Sequence, residues 1–435
     1  MKVMEVELCR PLPAVGFDGT YQRLWVLARL HTEPIGTCTV DLESGDLSPG
    51  QLGEILWHAM GEAIAERFAA ASIAAPQALT GGGLDVDPHF WPFLQTRSKV
   101  LEAPPYISVV ICTYRRPDRL RACLEQLRQQ HYPAFEVIVV DNDPETDAAR
   151  EHVRALADPR YRYVAEPRVG LSRARNRGVS VAAGDVVAFL DDDEEPDVFW
   201  LAAIARGFAR GSDVGCVTGL ILPACLDTAA QVLFEELGGH SKDRGFKSAV
   251  FSRQGPQSPL YPRPPFGAGG NMAFRRETLV RVGRFDTALG AGTPALGAED
   301  TLAFTLVMLA GLKIAYEPAA FVRHHHYRTF TGLARQLHGY RVGLTAYYVA
   351  LIRRRPWVLT SLVKLLPDAI RFLSSARSPV ASPALGLPPE LARGRGMLAG
   401  PVAYLRGIVR NASSNFQQTQ RGSRLRWHWR QGHSG

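Results

Sequence analysis

Acidic residues are nearly missing from the last quarter of this 435-residue sequence: Phe321 to Gly435 holds 2 Asp plus Glu against 18 Arg plus Lys. The whole chain carries +8 at pH 7, so the remainder, 32 basic against 40 acidic residues, is net −8. Basic charge is therefore a C-terminal property, and it implies an anionic partner there: a membrane surface, a nucleic acid or an acidic polymer. Lysine is scarce, 6 against 44 arginines. A GC-rich coding bias accounts for that as well as chemistry does, and nothing is built on it. Long apolar runs are missing too. No uncharged stretch reaches the roughly 18 residues of a membrane-spanning helix, and the run from Gly343 to Ile352 stops at Arg353. Met1 to Pro11 carries Glu5 and Glu7 and no apolar core, unlike a secretory signal, so a cytoplasmic location is expected. The six cysteines (Cys9, Cys38, Cys112, Cys123, Cys216 and Cys225) form no C-x-x-C pair, which excludes zinc-ribbon and thioredoxin-type chemistry and leaves reduced, mostly buried thiols. What is there is ordinary. At 46% hydrophobic and 21% charged, the composition excludes wholesale disorder, collagen and coiled coil.

Residues 1 to 75 read as a small α/β unit. Tyr21 to Leu30 and Gly36 to Val40 are rich in strand formers on either side of a turn-like Thr32-Glu33-Pro34-Ile35, the pattern of a hairpin. Ser48 as N-cap with Pro49 at the first helical position predicts a helix to about Ala71, with Leu52, Ile55, Leu56, Met60 and Ile64 on one face. Residues 76 to 105, with Gly81-Gly82-Gly83 and several prolines, read as a linker. From 106 to 328 apolar strands at Ile107–Cys112, Phe135–Val140, Tyr161–Ala165 and Asp185–Leu190 alternate with helices. That is the pattern of a mostly parallel sheet covered on both faces. Residues 329 to 435 read as a helical basic extension, broken by Pro and Ser at Ser378 to Pro389, with a disordered tail.

In such sheets ligands bind beyond the carboxyl ends of the strands. Three strand ends here deliver polar groups to one edge: Thr113-Tyr114-Arg115-Arg116, Asp141-Asn142-Asp143 and Asp191-Asp192-Asp193-Glu194-Glu195. Carboxylates crowded as at 191–195 repel unless solvated or bound to a cation, and hard oxygen ligands suit Mg²⁺ or Mn²⁺ on a diphosphate. No G-x-G-x-x-G or G-x-x-x-x-G-K-[ST] follows the first strand, so a dinucleotide or P-loop cradle is lacking. Metal plus arginine is the available way to neutralise a diphosphate.

Six segments in order resemble glycosyltransferase family 2: Ser108 to Arg115, Val139 to Asn142, Gly170 to Gly178, Phe189 to Asp193, Gly269 to Phe274 and Gly297 to Asp300. The resemblance covers about Ile107 to His326. It implies a GT-A fold and inverting, metal-dependent transfer of a sugar from a nucleotide-diphosphate sugar to a hydroxyl of a glycan, lipid-linked or small-molecule acceptor. By the same resemblance Thr113 and Arg115 would line the nucleotide pocket and Asp141 would hydrogen-bond the base. Arg175 would lie near base or diphosphate. Asp191 would lean toward ribose, with Asp192 between the two tasks and Asp193 on the metal. Gly270 and Asn271 would approach the sugar. Asp300 would be the general base, with Glu299 as the fallback. His324 or His326, alternate residues of one strand, would reach the metal or diphosphate; His324 is the chosen ligand.

The Q-x-x-R-W motif of processive synthases is missing, which favours transfer of one or a few sugars. Tyr340 to Leu373 mixes arginines with Tyr347, Tyr348, Trp357 and Leu362, a composition suited to an anionic membrane face. Nucleic acid has no folded motif behind it; the basic Arg421–Arg430 stretch with Trp427 and Trp429 reads as tail. Two other readings stand beside the enzyme. One is a degenerate GT-A module that binds glycan or scaffolds a complex at the membrane. The other is a nucleotidyltransferase, which would need a Gly-rich first loop where this chain has Thr113 to Pro117. Acceptor choice would lie between Cys225 and Pro265.

Overall fold

Short apolar β-branched runs with a polar residue at the end become parallel strands buried on both faces. In the computed structural model, residues 1–435 are described except 18, 43–44, 242–243, 257, 261–265, 376–396 and 414–435. The breaks read at Ser378–Pro389 and the tail at Arg421–Arg430 lie outside the described residues, as does part of the Cys225–Pro265 loop.

The N-terminal unit is a three-stranded sheet, β1 (Lys2–Glu7), β2 (Arg23–Leu30) and β3 (Glu33–Asp41), under helix α1 (Pro49–Ala70). The hairpin β2–β3 turns at His31 and Thr32, both with positive φ, two residues before the centre of the Thr32–Ile35 turn that the sequence suggested. Ser48 and Gln51 form a capping box at the start of α1. Leu52, Leu56, Met60, Ile64 and Phe68 of α1 are buried. β1, parallel to β2, is an element the sequence reading lacked. The stretch read as a linker also differs. It holds helix α2 (Pro92–Glu102), and the fully buried Trp91 meets Phe68 edge-on at 5.1 Å.

The larger layer is a nine-stranded mixed sheet. Four of its strands, β4 (Ile107–Thr113), β5 (Phe135–Asp141), β6 (Tyr161–Ala165) and β7 (Val186–Asp191), run parallel, separated by helices α3 (Pro117–Leu127), α4 (Ala148–Ala155) and α5 (Leu171–Val181). The sheet continues through β8 (Glu194–Pro196), α6 (Trp200–Phe208), β9 (Val214–Pro223), α7 (Ala229–Glu236), β10 (Ala249–Phe251), β11 (Asn271–Arg275), α8 (Arg276–Arg281), α9 (Glu299–Leu309) and β12 (Lys313–His324). The strand order is β10-β12-β9-β11-β7-β4-β5-β6, with β8 paired to β12. β11 is antiparallel to both neighbours, and β8 and β10 are antiparallel to β12; the other six strands run one way, so the expectation of a mostly parallel α/β sheet is met.

The N-terminal unit is docked on this sheet by a buried ionic joint. Arg206 of α6 grips Glu33 with two bonds of 2.8 and 2.9 Å and reaches Glu317 of β12 at 2.8 Å. Burial opposes the guanidinium charge, but the two carboxylates outweigh it and hold Arg206 above its ordinary range. Arg29 adds a 2.8 Å bridge to Asp197, and Leu27 packs with Leu220, Leu222, Tyr316 and Phe321. Beyond β12 come helices α10 (Phe330–Arg354) and α11 (Val358–Ser375) and a further helix over residues 397–413.

Candidate functional site

The register of β4, β5 and β7 puts Thr113 opposite Asp141 and Cys112 opposite Asp191. The three strand ends are thus lateral neighbours on one edge. Asp141 is buried. Its Oδ2 accepts from the Tyr163 hydroxyl at 3.1 Å and its Oδ1 from the Asp143 N–H at 3.1 Å. Asn142 ties the same edge to the loop before α5: its Oδ1 accepts from Gly170 N–H, and its Nδ2 donates to the carbonyls of Glu166 and Arg168. Arg115 has φ of 56° and an exposed side chain paired to Asp143.

The acidic turn is held from two sides. The Thr113 hydroxyl donates to Asp192 Oδ2 at 2.8 Å. Arg116 reaches Asp192 Oδ1 at 3.4 Å and Asp193 Oδ2 at 2.9 Å. Burial, and next the Asp193 charge, push Asp192 up to about 7, against the pull of Arg116 and Thr113. Glu194 is almost fully enclosed and is pushed well above the usual carboxylate range by burial first, then by Asp191 and Asp193. It accepts from the Asp191 N–H at 3.1 Å. Negative charge here exceeds what the two arginines at hand, Arg116 and Arg175, neutralise.

Arg175, on α5, is the strut beneath the site. It is 2% exposed. Nη1 donates to Glu299 Oε1 at 2.7 Å, and Nη2 donates to Gly269 O at 2.9 Å and Asp191 Oδ1 at 3.3 Å. Its charge is spent on protein partners rather than facing open cleft. The adjacent acids at the start of α9 diverge. Glu299 turns inward to Arg175, its Oε2 buried with no hydrogen-bond partner, and burial above all pushes it up to about 7. Asp300 is partly exposed, and its Oδ1 accepts from the Thr301 N–H at 2.6 Å. The helix cap itself falls to Ala298, in the left-handed region at φ 71°, which gives no side-chain cap bond.

Gly269 and Gly270 let the chain pass between these groups. A Cβ on Gly270 would come within 2.3 Å of Glu194 Oε1, and one on Gly269 within 3.1 Å of Asp300 Oδ2. Asn271 has a different task from the one its motif suggested. It is 1% exposed. Nδ2 donates to the carbonyls of Leu220 and Ala320, and Oδ1 accepts from the Trp200 indole. That leaves little capacity for a sugar, and Asn271 braces the sheet.

The histidine run reaches the acidic turn because β8 pairs with β12, Glu194 opposite His324. His324 Nε2 lies 3.7 Å from Asp193 Oδ1. Burial first, then His326, hold His324 down to about 3, so the ring is neutral. His325 points elsewhere, to Glu195 at 2.6 Å. The sequence reading gave no role to Arg116 and Glu194. The first had a visible signal, a second guanidinium at the first strand end. The second had none beyond its place in an acidic run.

Residues 108–283 match the family model described as "Glycosyl transferase family 2". The glucosyl-dolichyl phosphate glucuronosyltransferase of Haloferax volcanii is 28% identical over 234 residues, covering 51% of this chain and 71% of that enzyme. Succinoglycan biosynthesis protein ExoM of Rhizobium meliloti is 31% identical over 225 residues, 50% of this chain and 66% of that protein. A solved mannosyltransferase from Pyrobaculum calidifontis, in complex with GDP-Man and Mn2+, aligns at 19% identity and a TM-score of 0.46, covering 72% of this chain and 94% of that one. The strand ends that carry Thr113, Asp141 and Asp191 therefore lie within the stretch, residues 108–283, that is similar to glycosyltransferase family 2.

Proposed function

We propose that this chain transfers a sugar from a nucleotide-diphosphate sugar to an acceptor hydroxyl, with inversion and without processive extension. The observation that carries the reading is the divergence of Glu299 and Asp300. One carboxylate is locked inward on Arg175; the other is left beside the glycine passage at the strand ends. Asp300 takes the acceptor proton as the hydroxyl oxygen bonds to the anomeric carbon, and the bond to the diphosphate breaks with its electron pair leaving on the phosphate. Thr113, Arg115 and Asp141 hold the nucleotide, and Asp191 its ribose side. Gly270 lets the backbone come close to the sugar.

The donor set fits a divalent cation. Asp193 offers hard oxygen and His324 a neutral imidazole nitrogen 3.7 Å away, beside Asp192, which burial first and the Asp193 charge next push up to about 7. The carboxylate suits Mn²⁺ or Mg²⁺, and the imidazole nitrogen favours Mn²⁺ of the two. Such an ion, when bound, stabilises the leaving diphosphate. Arg116 shares that charge from the opposite side of the turn. The test is release of nucleoside diphosphate from a panel of nucleotide sugars. Turnover of one donor, dependent on Mn²⁺ or Mg²⁺, is the expected result. Inertness of the whole panel with candidate acceptors favours the glycan-binding or scaffold reading instead.

The acceptor side faces a membrane in this reading. Among the described residues no helix is long and apolar enough to cross one. The helix at 397–413 packs inward through its glycines: Gly400 lies against Thr345 and Val342, and Gly407 against Ala288. Tyr404 reaches Asp286 at 3.0 Å. Leu398, Val402, Leu405 and Val409, at i, i+4, i+7 and i+11, stay exposed along the outer face, with Arg406 and Arg410 on the same helix. An apolar stripe beside arginine in a region of balance +16 suits an anionic lipid surface. The paired change Leu405→Asp/Val409→Asp should weaken co-sedimentation with phosphatidylglycerol vesicles by about tenfold or more, since each buried side chain contributes about 1.5–3 kcal/mol. Equal binding by both proteins would remove this face from the account.

A further inference from the structure

Each ring nitrogen of His324 faces a polar group, and the second of these contacts has no place in the mechanism above. Nε2 faces Asp193 Oδ1. Nδ1 lies 2.8 Å from Nδ1 of His326. Nε2 of His326 in turn lies 2.7 Å from Oε1 of Glu235, on α7. The three groups come from segments tied together independently of this chain of bonds. Thr228 and Gln231 form a capping box at the start of α7, and the Gln231 amide donates to the His326 carbonyl at 3.3 Å. Phe234 and His240 pack edge-on against the rings of His326 and His324, with centroids 4.9 and 4.7 Å apart.

Hydrogen-bond chemistry then fixes the protons. Two imidazole nitrogens 2.8 Å apart share one hydrogen, so one donates and the other accepts. If Nε2 of His324 is to offer its lone pair to a cation beside Asp193, the His324 proton must sit on Nδ1. That proton is donated to Nδ1 of His326, which must then be bare. The His326 proton therefore sits on Nε2 and is donated to the Glu235 carboxylate. Each assignment follows from the one before, and the chain ends on an acceptor that cannot reverse it while ionised. We propose that His326 and Glu235 form an outer relay that locks His324 in the tautomer with Nε2 open toward Asp193. They are positioning residues: neither touches donor or acceptor. The proposal rests on the donor-site reading of Asp193 and His324.

The same residues allow a competing arrangement. Ligand nitrogens of His240, His324 and His326 all lie within 4.8 Å of one another. An ion seated among them would take a lone pair from both His324 and His326 and so compete with the relay.

Mn²⁺ titration of the full-length, metal-stripped chain, followed by electron paramagnetic resonance, separates these cases. His326→Phe keeps a ring against Phe234 but removes the acceptor, and Glu235→Leu removes the terminal acceptor. Each should weaken Mn²⁺ binding about 10–100-fold, the usual effect of losing an outer partner of a metal-binding histidine. Glu235→Gln, whose amide oxygen still accepts, should retain most of the affinity. Wild-type affinity in both His326→Phe and Glu235→Leu, with binding lost in Asp193→Asn, overturns the relay alone. Wild-type affinity in Asp193→Asn overturns the donor-site reading beneath it. Binding lost in His240→Leu but kept in Asp193→Asn places the ion among the histidines and overturns both. Imidazole nitrogen-15 spectra of the wild-type protein give an answer that needs no variant to fold. His324 should appear protonated at Nδ1 and His326 at Nε2; the opposite pair of tautomers contradicts the proposal.

Discussion

Asp300→Asn should reduce turnover by about 10²–10⁴-fold, the range expected when a general base is removed, while nucleoside diphosphate binding stays near the wild-type level. The asymmetry follows from position. Asp300 sits at the start of α9 beside Gly269, and its Oδ1 accepts from the N–H of the next residue, a bond an amide oxygen can still make. Asparagine therefore keeps the local fold and removes the proton acceptor. A pre-steady-state assay with the active donor separates chemistry from binding. Glu299→Gln is the control. That carboxylate faces Arg175, and its substitution should disturb the architecture rather than remove a base. If Asp300→Asn retains wild-type turnover and Glu299→Gln loses it with the fold intact, the two roles are exchanged.

Arg175→Met should cost about 3–5 kcal/mol of stability, because removing one member of a buried ion pair strands the other. Three acceptors converge on this guanidinium, and Glu299 already has one buried oxygen without a partner. Phe189 and Phe285 flank the group at 5.8 and 5.6 Å, and neither ring can replace the lost charge. Urea unfolding measures the loss. The double change Arg175→Met/Glu299→Gln should recover part of it, since the stranded carboxylate is gone. Arg175→Lys should fall between, as a compact ammonium cannot span three acceptors in a plane. A single-variant loss under about 1 kcal/mol, the size seen for exposed pairs, would mean that the group is not the strut described.

How much was legible in advance follows from the range of each interaction. The strands β4 to β7 announce themselves, because a parallel strand buried on both faces is apolar throughout and ends in the polar residue that leaves the sheet. Asp141 and Asp191 are therefore visible as strand ends, and the helix at Pro49 is visible through its local cap. β1 was missed because Lys2–Glu7, with Val6 alone buried, carry a weak alternation that only pairing with β2 makes meaningful. The linker reading at 76–105 failed on Trp91, whose burial depends on Phe68 of another helix. Asn271 looked like a site residue because it follows two glycines, yet its three bonds are to Leu220, Ala320 and Trp200, separated from it by about fifty to seventy positions. Arg116 on Asp193, Arg175 on Glu299 and Glu235 on His326 are likewise contacts made across 77, 124 and 91 positions. No local pattern encodes them.

Metal-dependent nucleotide binding is the central claim, and a thermal-shift panel tests it most directly. Nucleoside diphosphates and nucleotide sugars are added with and without Mn²⁺ to the wild-type chain and to Asp193→Ala. Ligand at 100 times its dissociation constant stabilises the native state by about 2.7 kcal/mol, which a melting curve resolves. The account predicts a rise for nucleotides of one base that requires Mn²⁺ and is absent in Asp193→Ala. A rise of equal size without metal, or one that survives Asp193→Ala, contradicts the assignment of the acidic turn. No rise with any nucleotide, for a protein that melts cooperatively, contradicts the donor site itself.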